Sequence, residues 1–585
     1  MKRIAKTTLI VLGLIGVCAV VYLHIFSAGF VGFDDDIHVY ANPFLNPPTL
    51  DNVAKLWQQS YERLYVPLAY TIFAAIARFA QVPAHLDGSL GRTVSLAPVA
   101  FHVASIAFHI ANTLLCFLLV RRLTRRAMAA LFATLVFALH PLQMESVGWI
   151  SELRGLSGGF FALTALYALV LSRGSSDATP GKSRVLLAAS ALFVMGAMLC
   201  KPSAMVLPLV ALAIDRTVLG TPWRRALAAA SMWAACALPF AWMTRSIQAT
   251  SAAGESLWWQ RPFVAGDALA FYLFKTFVPI DLCVDYGRTP RWVMSHAWGT
   301  LAWTVPVGLL VVCYRNRQRR PITWLGVLMF VTFLLPTLGL VPFTYQAYST
   351  VADRYAYLAL IGLGLMLADA VDYVRPQRVV VGVVSVALVA LAALSFNQSR
   401  YWRSSLEFLH HTIDVNPDAA FAYHNLGDQE LVNGSYAAAL ADYQTCLKHD
   451  ATLFKTYVMV AEVYALLNQP AEAEAVLVRS RKTPGLTADG MGANDYARLG
   501  NLLMKLHQPD RALWALSTAA EMDPSSPKYA CDVANALSAV GQLDRAEAAF
   551  RSCISRLQPN DPAVLDNLKK AERLKAERPI ESQGR

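Results

Sequence analysis

Residues 98–126 read PVAFHVASIAFHIANTLLCFLLVRRLTRR. From Pro98 to Val120 there is no Asp, Glu, Lys or Arg, and a helix over that stretch is long enough to cross the ~30 Å hydrocarbon core of a bilayer. It runs into Arg121, Arg122, Arg125 and Arg126, which the positive-inside rule assigns to the cytoplasmic face. The stretch therefore predicts a transmembrane helix with a known direction, and the rest of the chain can be oriented from it.

Working outward, comparable apolar segments occur near residues 8–30, 127–140, 157–172, 185–200, 203–220, 226–243, 298–314, 322–342, 356–371 and 379–396. With 98–120 they make about eleven spans, several shorter than the ~20 residues expected. The loops Arg121 to Arg126, Arg173 to Arg184, Trp223 to Arg225, Arg315 to Arg320 and Arg375 to Arg378 are basic, and they alternate with loops poorer in Lys and Arg. With the basic set inside, the N-terminus is cytoplasmic and the odd span count puts everything after Phe396 outside. The same parity places 31–97, 141–156, 244–297 and 343–355 outside. Val66 to Phe79 is apolar but short, which suits a helix lying at the interface.

Composition agrees. Of 585 residues, 56% are hydrophobic and 16% charged, and the mean hydropathy is +0.40, too apolar for a soluble chain. The net charge of +11 sits in short clusters between apolar runs and not along one face or tail, so topology explains it and nucleic-acid binding does not. The nine cysteines form no CxxC pair and no Cys/His cluster, which points to neither a zinc site nor a redox motif. Met1-Lys2-Arg3-Ile4 precedes an apolar stretch too long for a cleaved signal peptide, predicting an uncleaved first helix. Residues 1–400 therefore read as a membrane domain with an acidic first outer loop (31–97), and 401–585 as a soluble one.

In the second part a period of about 34 residues matches tetratricopeptide helix pairs. Tyr423, Leu426, Gly427, Ala439 and Tyr443 recur as Tyr457, Val460, Ala461, Ala473 and Leu477. They recur again as Tyr496, Leu499, Gly500, Ala512 and Leu516, and then as Ala530, Val533, Ala534, Ala546 and Phe550. Small residues at two positions allow close helix packing. Asn416-Pro417, Asp523-Pro524 and Asp561-Pro562 close units, because the residue before Pro avoids the helical region. About four repeats are expected, with extra residues at Thr483 to Gly492, and Cys446 and Cys553 read as core residues. Such arrays bind peptides or proteins, or act as spacers.

The chemistry is expected outside the membrane. The first outer loop opens Gly32-Phe33-Asp34-Asp35-Asp36-Ile37-His38; three carboxylates at a membrane edge repel one another, a cost that functional sites tolerate, although a solvated acidic turn is the plainer reading. Arg354, with Asp353, Tyr355 and Tyr357, lies on an outer loop before a span, and Lys201 ends a span on the same side. Either is a phosphate-binding cation or a snorkelling anchor. Glu145 and Glu152 bracket about two helical turns and either line a sugar site or cap the loop. His102, His109 and His140 read first as hydrogen-bonded histidines inside a helical bundle.

Phe101-His102, His109 and Asn112, then His140-Pro141-Leu142 with Glu145-Ser146-Val147 and Trp149, then Cys200-Lys201-Pro202, then Ala352-Asp353-Arg354-Tyr355-Ala356-Tyr357-Leu358 together resemble the TMTC family of transmembrane and tetratricopeptide-repeat protein O-mannosyltransferases and their bacterial relatives, across nearly the whole chain. The resemblance implies an all-α fold: a polytopic GT-C-like helical bundle followed by an α-solenoid of repeats. It also implies an enzyme moving mannose or a similar sugar from a polyprenyl-phosphate donor to a hydroxyl on the outer face, with Ser or Thr of a protein as acceptor. The family's acidic pair aligns with Asp34 and Asp35 as catalytic residues, and Arg354, Lys201, Glu145, His140, Asp353 and Tyr355 become substrate-binding candidates. The pattern departs at Glu152-Leu153-Arg154-Gly155, where a Glu-Arg-Lys-Asp-like run is usual, and at Val66, where Arg is frequent; Arg154 is therefore given no role.

A monophosphate carrier leaves with less charge than a pyrophosphate, so no essential metal or cofactor is expected, with a divalent ion at Asp34 to Asp36 as the alternative. Expected partners are the polyprenyl-linked sugar, a protein at the repeats and membrane lipid, with no nucleic acid. Compact loops favour a bacterial inner membrane, with the repeats in the periplasm or outside. Two other readings stand: transfer to a lipid or envelope glycan, or a non-enzymatic anchored scaffold.

Overall fold

The computed structural model describes residues 2–87, 92–173, 180–248, 256–373, 376–483, 493–524 and 526–556, with 566, 569, 572 and 573. Among the described residues the fold is all-α apart from one antiparallel hairpin, Gln81–Asp87 with Arg92–Leu96, and the chain divides into two compact units, Met1–Ala419 and Ala420–Arg585.

In the first unit six of the described helices are long and apolar enough to cross a membrane: Pro98–Thr124, Ile150–Arg173, Gly181–Cys200, Trp223–Ile247, Ala297–Arg315 and Gln377–Trp402. The segment expected at 127–140 forms the helix Ala127–Leu139, which with a bent continuation makes up a seventh candidate span. Its helix stops at Leu139 because His140, preceding Pro141, takes an extended conformation (φ −71°, ψ 133°), and the chain continues through Pro141–Gly148 after a 53° bend. The segments expected at 8–30, 322–342 and 356–371 are shorter apolar helices, Thr7–Val21, Pro321–Thr337 and Leu360–Val371. The segment 203–220 is a 3-10 turn, Pro202–Val206, leading into the 11-residue helix Leu207–Thr217. Eleven residues rise only about 16 Å, roughly half a bilayer core.

Pro67–Phe79 forms the short helix expected at the interface, burying Ala69, Tyr70, Phe73 and Ala77 and exposing Phe79. Helices Pro321–Leu334 and Leu360–Tyr373 meet backbone to backbone. A Cβ on Gly362 would stand 2.3 Å from the Gly326 carbonyl oxygen, so glycine at both positions lets the helices touch without side chains between them, the usual device of membrane helix pairs.

The second unit is a solenoid of helix pairs: Ala420–Val432 with Tyr436–His449, Phe454–Leu466 with Pro470–Arg481, Ala493–Lys505 with Pro509–Met522, and Pro527–Ala539 with Leu543–Arg556. The small positions work as expected. A Cβ on Gly427 would stand 2.6 Å from the Tyr443 ring, and one on Gly500 would stand 2.4 Å from Leu516, while Ala534 packs with Ala546 and Phe550. Each pair turns on one left-handed residue: Gly434, Asn468, His507 and Gly541. Asn416 ends its helix in an extended conformation, and Asp523 leaves the helical region at the end of its own (φ −134°, ψ 81°). From residue 484 to 492 the expected extra stretch lies outside the described residues, as does Asp561-Pro562.

Cys446 and Cys553 are both fully buried, as expected of core residues. Cys553 also forms a disulfide with Cys531, 22 residues earlier, joining the two helices of the last described pair. Cys446 is a buried free thiol.

Candidate active site

The acidic loop begins with a turn in which the Phe33 amide donates to the Val31 carbonyl at 2.6 Å, and Asp34 takes a left-handed conformation, φ 68°. A side chain at positive φ costs about 1–2 kcal/mol, less for Asp than for most residues, so the turn is held by what surrounds it. Asp35 does most of the holding. It is completely buried; one carboxylate oxygen accepts the Val31 amide at 3.0 Å, and the other accepts the amide of Ser151 at 2.9 Å and its hydroxyl at 2.7 Å. Burial pushes the Asp35 carboxyl up to about 7 against those three donors. Trp149 adds a further tie, its indole NH donating to the Phe33 carbonyl at 2.8 Å. Asp34 and Asp36 are half-buried.

Behind Asp34, the His38 amide donates to its carbonyl at 2.8 Å. The buried His38 ring meets the Tyr70 hydroxyl at 2.8 Å through Nδ1, and desolvation pushes the imidazole well below its ordinary range, keeping it neutral. The Arg154 charge acts electrostatically on both Tyr70 and His38. Close by is a tight turn in which Tyr61 and Leu64 exchange two backbone hydrogen bonds of 2.9 Å around Glu62 and Arg63, both left-handed. The Tyr61 ring packs edge-on against His38 and Tyr70.

A second cluster surrounds Arg354. Its amide donates to Glu145 Oε2 at 2.8 Å and its guanidinium to Oε1. The guanidinium also lies 4.1 Å from the Tyr345 ring centre, 4.8 Å from Tyr355 and 5.3 Å from Trp149. With 6% of its side chain exposed, Arg354 is caged. Asp353 is buried beside it, accepting the Tyr286 hydroxyl at 2.8 Å; burial and the neighbouring Glu145 hold its carboxyl well above the usual range.

The third cluster is an open one. Lys201 donates to Glu152 Oε2 at 2.6 Å and keeps 26% of its side chain exposed. Extended backbone at Lys201 (φ −149°), imposed by Pro202, ends the helix and turns the side chain toward Glu152. Gly155 makes room for the pair: a Cβ there would stand 2.3 Å from Glu152 Oε2 and 2.9 Å from Lys201 Nζ. Glu152, Gly155, Gly158, Lys201, Arg354 and Tyr355 line one pocket.

Glu145 and Glu152 do not share a helical face. The helix Met144–Gly148 gives way to extended Trp149 and a 3-10 turn, Ile150–Glu152, so the two carboxylates reach different cations. Residues 145–154 thereby link the whole site: Glu145 to Arg354, Trp149 to Phe33, Ser151 to Asp35 and Glu152 to Lys201, with Arg154 donating back to the Ser151 carbonyl. His140 is not brought to the pocket. Its Nδ1 accepts the Leu142 amide at 3.2 Å and its Nε2 meets the Thr276 carbonyl at 3.0 Å. His109 likewise bonds Tyr357 and the Ala138 carbonyl inside the bundle. Ser151, His38 and Tyr70 carried no sequence signal. Among the described residues no group of three His, Cys, Asp or Glu is placed to hold a metal ion.

No family model matches the chain, and no curated protein does. Solved structures similar to it include ArnT from Cupriavidus metallidurans bound to undecaprenyl phosphate, at 13% identity over 88% of this chain and 80% of that one, with a TM-score of 0.34. YrrB, a tetratricopeptide-repeat protein with an unusual peptide-binding site, is 23% identical over 29% of this chain and 84% of its own, TM-score 0.25. Yeast Tom70 is 13% identical over 80% and 97%, TM-score 0.23.

Proposed function

We propose that this chain is a membrane glycosyltransferase that moves a sugar, mannose or similar, from a polyprenyl-phosphate carrier to a hydroxyl of a protein on the non-cytoplasmic face. The observation that carries the reading is the loop built around Asp34: a half-buried carboxylate in a left-handed turn, fixed by a buried neighbour to the same short segment that holds the cation pocket. Asp34 accepts the acceptor's hydroxyl proton. The hydroxyl oxygen forms its bond to the sugar's anomeric carbon while the bond from that carbon to the phosphate oxygen breaks, and the electron pair leaves with the polyprenyl phosphate. Lys201 meets that phosphate, since it is the exposed cation and has further N–H groups beyond the one given to Glu152. Arg354, caged by Glu145 and three rings, shapes the pocket wall.

The basic loops support the outward placement. So does the Cys531–Cys553 disulfide, since such bonds persist in oxidising compartments. The repeats then present the acceptor protein.

The test is transfer by purified protein from a polyprenyl-phosphate mannose, with donor dissociation constants measured separately. Asp34→Asn keeps shape and removes the proton acceptor, so turnover should fall by a factor on the order of 10² to 10⁴ with donor binding retained. Lys201→Ala should weaken donor binding and turnover together. Near-normal turnover in Asp34→Asn and in the Asp34→Asn, Asp35→Asn double variant would remove the carboxylates from the chemistry.

A further inference from the structure

The pocket beside Lys201 poses a problem of charge. Lys201, the cation assigned to the carrier phosphate, already gives one N–H to Glu152 Oε2 at 2.6 Å. Among the described residues lining that pocket Glu152 is the one acid; Glu145 is not among them, and both its oxygens are taken by Arg354. A carboxylate so close to a phosphate-binding cation repels the phosphate and weakens its hold. Yet the fold makes space for the pair. Glycine at 155 keeps clear the volume where a Cβ would stand 2.3 Å from Glu152 Oε2, and glycine at 158 lets Lys201 lie against the helix, where a Cβ would meet the Lys201 Cβ at 3.2 Å.

Chain position adds a second observation. Glu152 directly follows Ser151, whose amide and hydroxyl bind Asp35 in the acidic loop at 2.9 and 2.7 Å. The two neighbours reach in two directions, one to the loop that carries the base and one to the cation. A sugar attacked from the loop's side, with its phosphate leaving toward Lys201, spans the interval between those contacts. One hydrogen bond to Lys201 leaves most of the carboxylate's accepting capacity unused, since its two oxygens offer about four lone-pair sites. Sugar hydroxyls are donors that such a group takes in charge-assisted bonds.

We propose that Glu152 selects the loaded carrier: its carboxylate accepts hydroxyls of the carrier-linked sugar and repels the spent carrier phosphate after transfer. The inference rests on the reading of Lys201 as the phosphate cation and adds what separates donor from product at that site. The sugar-linked carrier is a phosphodiester with a single negative charge, whereas the spent carrier is a monoester carrying about −1.5 to −2 near pH 7. The same carboxylate favours the donor twice, through a contact that only the sugar makes and through a smaller repulsion. Attraction and repulsion together set the preference, and the repulsion clears the site for the next turnover.

The measurement is a pair of dissociation constants for the full chain in detergent or vesicles. Polyprenyl-phosphate mannose and sugar-free polyprenyl phosphate are each titrated against wild type, Glu152→Gln, Glu152→Ala and Lys201→Ala. Wild type should prefer the mannosyl form. In Glu152→Ala that preference should fall by about tenfold or more, the size of a lost charge-assisted hydrogen bond, and the sugar-free carrier should bind more tightly than it does to wild type. Glu152→Gln, which keeps a neutral acceptor, should lose less of the preference while gaining the same tightening. A residue that only shapes the pocket would weaken both ligands alike. An unchanged preference in Glu152→Ala overturns the proposal, as does an equal tightening of both ligands, which would leave Glu152 a brake on phosphate alone. A dissociation constant does not depend on how much of the protein is folded, so partial misfolding of a variant leaves the comparison intact. If Lys201→Ala binds both ligands as wild type does, the reading of Lys201 fails first, independently of Glu152.

Discussion

Asp35 illustrates how two adjacent, chemically identical residues receive different tasks. The resemblance pairs it with Asp34, but its two oxygens already accept three hydrogen bonds from Val31 and Ser151, so it holds the loop, while Asp34 stays half-buried. Its titration makes this testable. Folded, the carboxyl takes up its proton near pH 7; unfolded, near 3.8. Between those values the folded state binds more protons than the unfolded one, so this group's contribution to stability falls as pH rises from about 4 to about 7 and is flat above. Wild-type melting temperature should decline over that window, and Asp35→Asn should lose the slope. The same variant should be destabilised by about 1–3 kcal/mol, because an amide cannot accept at all three donors and one buried N–H is left without a partner. Thermal denaturation of both proteins from pH 5 to pH 8 checks both points.

The acidic loop was legible because charge stands out beside apolar runs, and Glu145, Lys201 and Arg354 because they fall in recurrent motifs. Ser151 was not, for its tie to Asp35 spans 116 residues and no local period encodes it. Lys201 and Arg354 also exchanged weight: both looked like cations at span ends, and only their surroundings, an exposed pair against a three-ring cage, separate them.

Among the elements, the helix pairs of the solenoid were read correctly from their small residues, since close packing leaves a direct mark on composition. The helix expected at 127–140 was read with nearly its observed bounds, whereas the segments 203–220 and 322–342 were read as longer, because an apolar run looks the same whether or not a proline interrupts the helix inside it. Their turns supply a further prediction. Gly434, Asn468, His507 and Gly541 occupy equivalent left-handed positions, and only glycine adopts that conformation without cost. His507→Gly should therefore stabilise the repeats by about 0.5–1 kcal/mol despite the added flexibility of the unfolded chain. Chemical denaturation of the wild-type and variant proteins, followed by a probe in the third pair, measures it.

At the scale of the whole molecule, the basic loops and the disulfide bear on one question, which side the repeats face. Replacing Ser435, at the turn of the first pair, by cysteine in a chain whose other free cysteines are removed should give a thiol that reacts with an impermeant reagent in intact cells or spheroplasts. Reaction only after the cytoplasmic face is opened would reverse the arrangement and move the proposed chemistry to the other side of the membrane.

The segment from Glu145 to Arg154 has a consequence for how such a protein changes over time. The hydrogen bonds from Trp149 and Ser151 to the acidic loop and from Glu145 and Glu152 to the two cations all start from those ten consecutive residues, so a single insertion or deletion there would break several ties at once. New acceptors would then arise by variation around an inherited cassette, and the smallest graft able to carry this chemistry onto another helical bundle is that cassette together with residues 31–40.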